Sequence, residues 1–175
     1  LLPAEAGTGT GKTLPYLLPP VELGRRVVVS TGTKNLQEQL VQKDIPILAQ
    51  ALGRDLNVAV MKGRANYLCL LRFSSFAKAG SFRRLEEIPV YRAVEAWAPE
   101  TQTGDRAEVA DMPDSVDFWR EVSAASENCI GQSCSLFESC FVTRMRQRAL
   151  EADIVVVNRH LLCADLAVKG GSYGQ

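Results

Sequence analysis

The sequence lacks net charge and long apolar runs. Its 20 lysines and arginines balance 20 aspartates and glutamates, so no overall field attracts the chain to nucleic acid. No apolar run approaches the roughly 20 residues of a membrane-spanning helix, and residues 1–7 lack the charged and apolar regions of a secretory signal. We therefore expect a cytoplasmic protein with no membrane partner, in which any nucleic-acid binding comes from local groups.

Histidine is also scarce, since His160 is the single example in the chain. No paired carboxylate is evident beside it, so we expect His160 to pack or to form hydrogen bonds rather than to act as a base. In a reducing compartment, the five cysteines are expected to be metal ligands or core residues rather than disulfides.

Residues 5–13 read EAGTGTGKT and form a glycine-rich loop ending in Gly11, Lys12 and Thr13. The glycines permit positive φ, so that successive N–H groups can point at a phosphate. Lys12 is expected to contact the β and γ phosphates and Thr13 to bind Mg²⁺, which gives both a catalytic role. The small residue Ala6 replaces the usual first glycine. The predicted nucleoside triphosphate site comprises Ala6, Gly7, Thr8, Gly9, Thr10, Gly11, Lys12 and Thr13.

The order of patterns predicts an α/β protein with an insertion. Short apolar runs at residues 26–30, 57–61 and 154–157 are typical of buried parallel strands. Residues 13–23 are helical in character with a break at Pro19 and Pro20, and residues 34–52 carry one apolar helical face. We expect a parallel sheet flanked by helices in residues 1–61 and 151–175, and a mostly helical insertion in residues 62–150.

Four cysteines lie in the insertion, at Cys69, Cys129, Cys134 and Cys140. The Cys-x4-Cys-x5-Cys spacing is more open than zinc knuckles, whereas iron–sulfur clusters accept thiolates at varied spacings, so we favour a 4Fe–4S cluster over zinc. Four unligated cysteines are the plain alternative. Cys163 follows a predicted strand and is expected to be a small core residue outside the site. We expect the insertion to have little core of its own and to need metal to fold.

Together these motifs resemble the XPD/DinG-like iron–sulfur DNA helicases of superfamily 2, most closely their bacterial DinG and YoaA branch. EAGTGTGKT is similar to helicase motif I, and STGTKNLQEQL at residues 30–40 to motif Ia. KGRANYLC leads into the first cluster ligand, and ADIVVVNRHLLCADL resembles the strand after the cluster domain. That branch usually has two histidines after the asparagine, where this chain has Arg159 and then His160.

The resemblance implies a RecA-like motor domain that uses ATP, Mg²⁺ and a 4Fe–4S cluster to move 5′ to 3′ along single-stranded DNA. It implies forked duplex DNA and a second motor half as partners, a role in repair or replication, and a place at the nucleoid in a bacterium. The family's acidic Mg²⁺-binding box is absent from the 175 residues, so we expect this chain alone not to turn over ATP.

Four residues are candidates for contacts with DNA: Thr31, Thr33, Asn35 and Arg64. The first three lie in a loop that opens a helix, where hydroxyls and N–H groups can hold phosphates, although turn and N-cap chemistry would place the same residues there. Arg64 can meet DNA or the cluster sulfurs. Three further arginines can extend a basic path or form an ordinary solvated face: Arg144, Arg146 and Arg148.

Two other classes of protein fit parts of the pattern. A zinc-stapled module that binds nucleic acid or protein would keep the glycine-rich loop as a non-catalytic nucleotide site. A small P-loop kinase would need a substrate site and an acidic motif, and neither is evident in the sequence. The identity of the metal separates the helicase from the zinc-stapled module.

Overall fold

The computed structural model describes residues 13–113, 115–125 and 129–163. The glycine-rich loop as far as Lys12 and the last twelve residues therefore lie outside the described part. The helices are α1 (Thr13–Glu22), α2 (Lys34–Gln39), α3 (Ile45–Leu52), α4 (Leu70–Ala79), α5 (Glu87–Trp97), α6 (Asp117–Val122) and α7 (Phe141–Glu151). The strands are β1 (Val27–Thr31), β2 (Val58–Met61) and β3 (Ile154–Asn158). None of the described helices is long and apolar enough to cross a bilayer.

The chain divides into two compact units. Unit 1 contains the described residues up to Met61 and from Arg148 onward, and unit 2 is Lys62–Gln147. The three strands all belong to unit 1, and they form one parallel sheet in the order β1-β3-β2. This agrees with the predicted α/β class and with the strand positions expected from the three apolar runs.

The central strand β3 organises the core of unit 1. Ile154 and Val156 are fully buried on one face of the sheet, where they pack with residues of α1 and of the segment from α2 to α3. Val155 and Val157 face the other side and pack with Ala59 and Ala149. Both faces of β3 are covered, which explains why its sequence is a continuous β-branched run.

Helix α1 does not break at its two prolines, so that expectation is wrong. The helix runs through Pro19 and Pro20 to Glu22 although each proline removes a helical N–H donor. Leu17 and Val21 lie on the same face and are only 4% and 1% exposed, so burial against the core offsets the lost hydrogen bonds. Helix α1 ends before Gly24, which has a φ of +66°.

The predicted helix over residues 34–52 is present, with one irregular turn. Thr33 caps its start by accepting a hydrogen bond from the backbone N–H of Leu36 at 3.3 Å. A π-helical turn at Leu40–Asp44 separates α2 from α3, and Gly53 ends α3 with a φ of +63°. The sequence pattern predicted both ends of this segment but not the π-helical turn.

Unit 2 has a hydrophobic core, so the expectation that the insertion has little core of its own is wrong. Leu68, Val94 and Val122 are fully buried, and Phe118 and Trp119 are each 2% exposed. Beside them lies a group of aromatic rings with centroids 5.2–6.5 Å apart: Phe73, Phe76, Phe82, Tyr91 and Phe118. Apolar residues from separate helical stretches of the sequence meet in this core, and their burial contributes to the stability of unit 2.

Substitutions at two neighbouring residues of α3 test the core of unit 1. Leu48 is 1% exposed and Ile47 is 50% exposed, so L48A removes buried methyl groups and leaves a cavity. We expect L48A to lower the free energy of unfolding by about 2–5 kcal/mol and I47A by less than about 1 kcal/mol. Urea unfolding followed by circular dichroism measures both changes, and equal losses would contradict the described packing.

A candidate cysteine-lined cavity

Cys69 is positioned by the backbone on both sides of it. Tyr67 and Leu68 form antiparallel bridges to Asp105 and Ser123, and the N–H of Cys69 donates to the carbonyl of Val122 at 2.8 Å. The carbonyl of Cys69 accepts from the N–H of Phe73 at 2.8 Å, so this cysteine is the N-cap of α4. Its thiol therefore lies at the positive end of a helix dipole.

The other three cysteines follow one another through short turns. The N–H of Gly131 donates to Cys129 Sγ at 3.4 Å, and Gly131 has a φ of +60°, which favours glycine. A 3₁₀ turn at Gly131–Ser133 leads to Cys134, whose carbonyl accepts from the N–H of Phe137. The carbonyl of Cys140 accepts from the N–H of Arg144 at 2.9 Å, where α7 begins.

All four cysteines line one cavity of about 150 Å³ within unit 2. This volume is roughly ten times the 15 Å³ or so that a single enclosed water needs. The cysteines are free thiols, with Cys129 exposed and the other three half-buried. Besides the cysteines, the lining residues are Arg64, Leu71, Arg72, Ala124, Ala125, Ile130, Gly131, Phe137, Val142, Thr143 and Arg146. The fold thus brings Cys69 and Cys129 to the same cavity, although 59 residues separate them in the sequence.

Among the described residues, no group of three or more cysteine, histidine, aspartate and glutamate side chains is arranged to hold a metal ion. The four cysteines line the wall of one cavity. Tetrahedral zinc requires all four sulfurs at about 2.3 Å from one centre. A polynuclear cluster differs because each thiolate binds its own iron.

The electrostatics of the cavity favour thiolate at Cys129. The hydrogen bond from the N–H of Gly131 lowers the pKa of the Cys129 thiol. Burial acts in the opposite direction, but the nearby guanidinium groups of Arg64 and Arg146 also lower this pKa, and the net result is a pKa below the ordinary value of a thiol. The Nε of Arg64 is buried and has no hydrogen-bond partner among the described residues. Thiolate is the form that binds metals, so the donors present suit a metal group.

The remaining predicted residues are divided between the two units. Thr13, the only described residue of the glycine-rich loop, begins α1. Thr31 ends β1 with a buried hydroxyl that has no partner among the described residues, Thr33 caps α2, and Asn35 is exposed. These three lie together at the carboxyl end of β1, whereas Arg64 lies at the cavity of unit 2.

The structure separates the three arginines of α7. Arg146 lines the cavity, Arg144 is exposed outside its lining, and Arg148 belongs to unit 1. Arg72 also lines the cavity and was not among the site residues predicted from the sequence. It lies three residues after Cys69, so a one-turn spacing from the first cysteine could have indicated it.

His160 and Cys163 differ in part from what was expected. His160 is exposed rather than packed, but the expected hydrogen bonding is present, since its Nδ1 lies 3.0 Å from Asn158 Oδ1. Cys163 is exposed, so its prediction as a core residue is wrong. It is not among the residues that line the cavity. Proximity to a buried strand was a poor guide here because residues 159–163 form a helical segment in which Leu162 packs against the core and Cys163 is exposed.

Comparison with known proteins gives relatives along nearly the whole chain. No protein-family model matches it. It is 40% identical to the ATP-dependent DNA helicase YoaA of Escherichia coli over 99% of its own length. It is 38% identical to the ATP-dependent helicase DinG of Mycobacterium tuberculosis over 94% of its length, and 32% identical to the 3′-5′ exonuclease DinG of Bacillus subtilis over 92%. The chain is a homologue of the DinG and YoaA proteins.

This DinG/YoaA homologue covers only a part of its relatives. The aligned stretch is 27% of the E. coli protein, 28% of the M. tuberculosis protein and 18% of the B. subtilis protein. The same stretch is therefore shared by two proteins named as helicases and one named as an exonuclease. Similarity to these relatives alone therefore does not assign a function, and the chemistry of the residues in this chain is needed as well.

The lowered pKa of Cys129 in this DinG/YoaA homologue predicts a specific pH dependence. In metal-free protein, removing the positive charge with R64Q should raise that pKa, so iodoacetamide alkylation of Cys129 at pH 7 should slow roughly threefold. The two rates should converge at high pH, where the thiol is ionised in both proteins. Mass spectrometry across a pH series measures the rates. R144Q is the matched control, and an R64Q profile identical to wild type would contradict the contact.

Proposed function

We propose that this chain is the ATP-binding and cluster-bearing part of an ATP-dependent DNA helicase. The proposal rests chiefly on 40% identity, over 99% of the chain, to a protein named as such a helicase. The parallel sheet flanked by helices is compatible with a RecA-like motor. The full protein would couple ATP hydrolysis to 5′-to-3′ movement on single-stranded DNA and to the opening of forks, in repair or replication.

Nucleotide chemistry in this proposal belongs to residues 6–13. Backbone N–H groups of the glycine-rich loop hold the phosphates, Lys12 neutralises the β and γ phosphates, and Thr13 binds Mg²⁺ through its hydroxyl. Thr13 lies in helix α1, and a helix after the loop is the usual order in a phosphate-binding site. The acidic box and a second motor half complete the site in the full protein, so the 175 residues alone bind nucleotide without turnover.

A 4Fe–4S cluster is the metal group that fits the cavity best. Four thiols from separate turns line it, two of them at helix starts, and arginines supply positive charge that favours thiolates. Cys69, Cys129, Cys134 and Cys140 would be the ligands, and Arg64 would donate to sulfur with the Nε that has no described partner. Such a cluster supplies a covalent cross-link between these turns and a centre that accepts one electron.

DNA would be held without reading its sequence. Thr33 and Asn35 present a hydroxyl and an amide at the carboxyl end of a parallel strand, where ligands of α/β proteins commonly bind, and the buried hydroxyl of Thr31 lies beside them. Thr33 retains a hydroxyl hydrogen to donate because its oxygen accepts the capping bond. Arg64 is assigned to the cluster in preference to DNA because it lines the cavity. We place the protein in the cytoplasm, at the nucleoid if bacterial.

Unwinding polarity tests the helicase proposal in the full-length protein. A duplex with a 5′ single-stranded tail should be opened in the presence of ATP and Mg²⁺, and one with a 3′ tail should not. K12A should reduce the rate by roughly a hundredfold or more, because it removes charge that stabilises phosphoryl transfer. K43A changes an exposed lysine of the π-helical turn and should unwind normally. Digestion of 3′ ends without unwinding would contradict the proposal.

Two cysteine variants of the anaerobically purified protein test the ligand set. C134S should abolish visible absorbance because a hydroxyl is a poor iron ligand, whereas C163S should retain it because Cys163 lies outside the cavity. We expect the far-ultraviolet circular dichroism of C134S to stay close to wild type, since unit 2 has its own core. Equal absorbance in both variants would contradict the assignment of Cys134.

A further inference from the structure

Positive charge dominates the described lining of the cavity. Arg64, Arg72 and Arg146 contribute guanidinium groups, and none of the described lining residues is a carboxylate. The first turns of α4 and α7 add the positive ends of two helices, which begin at Cys69 and Cys140. Four thiolates around iron and sulfide carry net negative charge, and an added electron increases it. This environment therefore stabilises the electron-rich state most.

The three arginines are not equivalent. The guanidinium of Arg72 donates to the carbonyls of Ser123 at 2.8 Å and Arg120 at 3.1 Å, which ties α4 to the end of α6. Arg64 has a buried Nε with no hydrogen-bond partner among the described residues. Replacing either residue would therefore alter packing or hydrogen bonding as well as the charge.

Arg146 differs because its contribution is a charge without a packing role. It projects from the second turn of α7, is exposed, and forms no ion pair with a carboxylate among the described residues. It nevertheless lines the cavity, and its charge helps to lower the pKa of Cys129, so its field reaches the sulfur. Arg144 lies half a turn away on the same helix, is also exposed, and does not line the cavity.

We propose that Arg146 sets the reduction potential of the cluster by stabilising the form that has gained one electron. The inference rests on the proposed 4Fe–4S cluster. One electron from a reductant such as dithionite enters the cluster, and no bond is made or broken. Arg146 is thus a positioning charge that acts through space.

The test is an anaerobic redox titration of the cluster-loaded protein with dithionite and mediator dyes, followed by visible absorbance and electron paramagnetic resonance. At a fixed potential near the midpoint, R146Q should show a ratio of reduced to oxidised cluster about threefold below wild type. A threefold change in this ratio corresponds to a midpoint about 28 mV lower, at 59 mV per tenfold. R144Q, which removes the same charge from the same helix, should match wild type within experimental error. R146K keeps the charge and should restore the wild-type ratio.

The outcomes separate this inference from the proposed function. Equal ratios in wild type, R146Q and R144Q, with iron and sulfide fully present, would overturn the role of Arg146 and leave the cluster standing. Wild-type protein without iron and sulfide would overturn both. An R146Q protein that binds no iron would also overturn the inference, because Arg146 would then be needed for assembly. A difference between R146Q and wild type that shrinks as salt rises from 0.05 to 0.5 M would support a charge effect.

Discussion

The backbone pairing of residues 67–69 is the constraint on which the cysteine unit depends. On one side of this short extended segment, the N–H of Leu68 donates to the carbonyl of Gly104. On the other side, the N–H of Cys69 donates to the carbonyl of Val122, and the carbonyl of Tyr67 accepts from the N–H of Ala124. Leu68 at its centre is fully buried. The indole N–H of Trp119 adds a bond to the carbonyl of Ala65 at 2.8 Å. These bonds position Cys69, and the turns from Cys129 to Cys140 complete the cavity.

This arrangement changes how the metal relates to folding. A small metal-binding module often folds only with its metal because it has no other core. Here apolar and aromatic side chains form a core in unit 2, so the proposed cluster would add to a unit that has packing of its own. The cluster would fix the cysteine turns and contribute redox chemistry, while the packing of α4, α5 and α6 supports them. Loss of metal should therefore loosen the turns more than the unit.

Sequence patterns predicted the parallel sheet and selected four cysteines that the fold brings to one cavity, while their role as metal ligands stays a prediction. Buried parallel strands leave continuous β-branched runs, as in Ile154–Asn158. Cysteine is rare enough for spacing alone to pick out four candidate ligands. The patterns failed where long-range packing overrides local preference. Burial carries α1 through Pro19 and Pro20, and the core of unit 2 joins residues far apart in sequence. Arg72 and Arg146 were hard to assign because their roles depend on cavity geometry.

The central claim is that the four-thiol cavity holds a polynuclear iron–sulfur cluster. Determination of iron, acid-labile sulfide and zinc in anaerobically purified protein tests it most directly. The account predicts about four iron and four sulfide per chain with little zinc, since a 4Fe–4S cluster has that composition. One zinc per chain and no sulfide, from material kept free of oxygen throughout, would contradict the account and favour a zinc-stapled binding module.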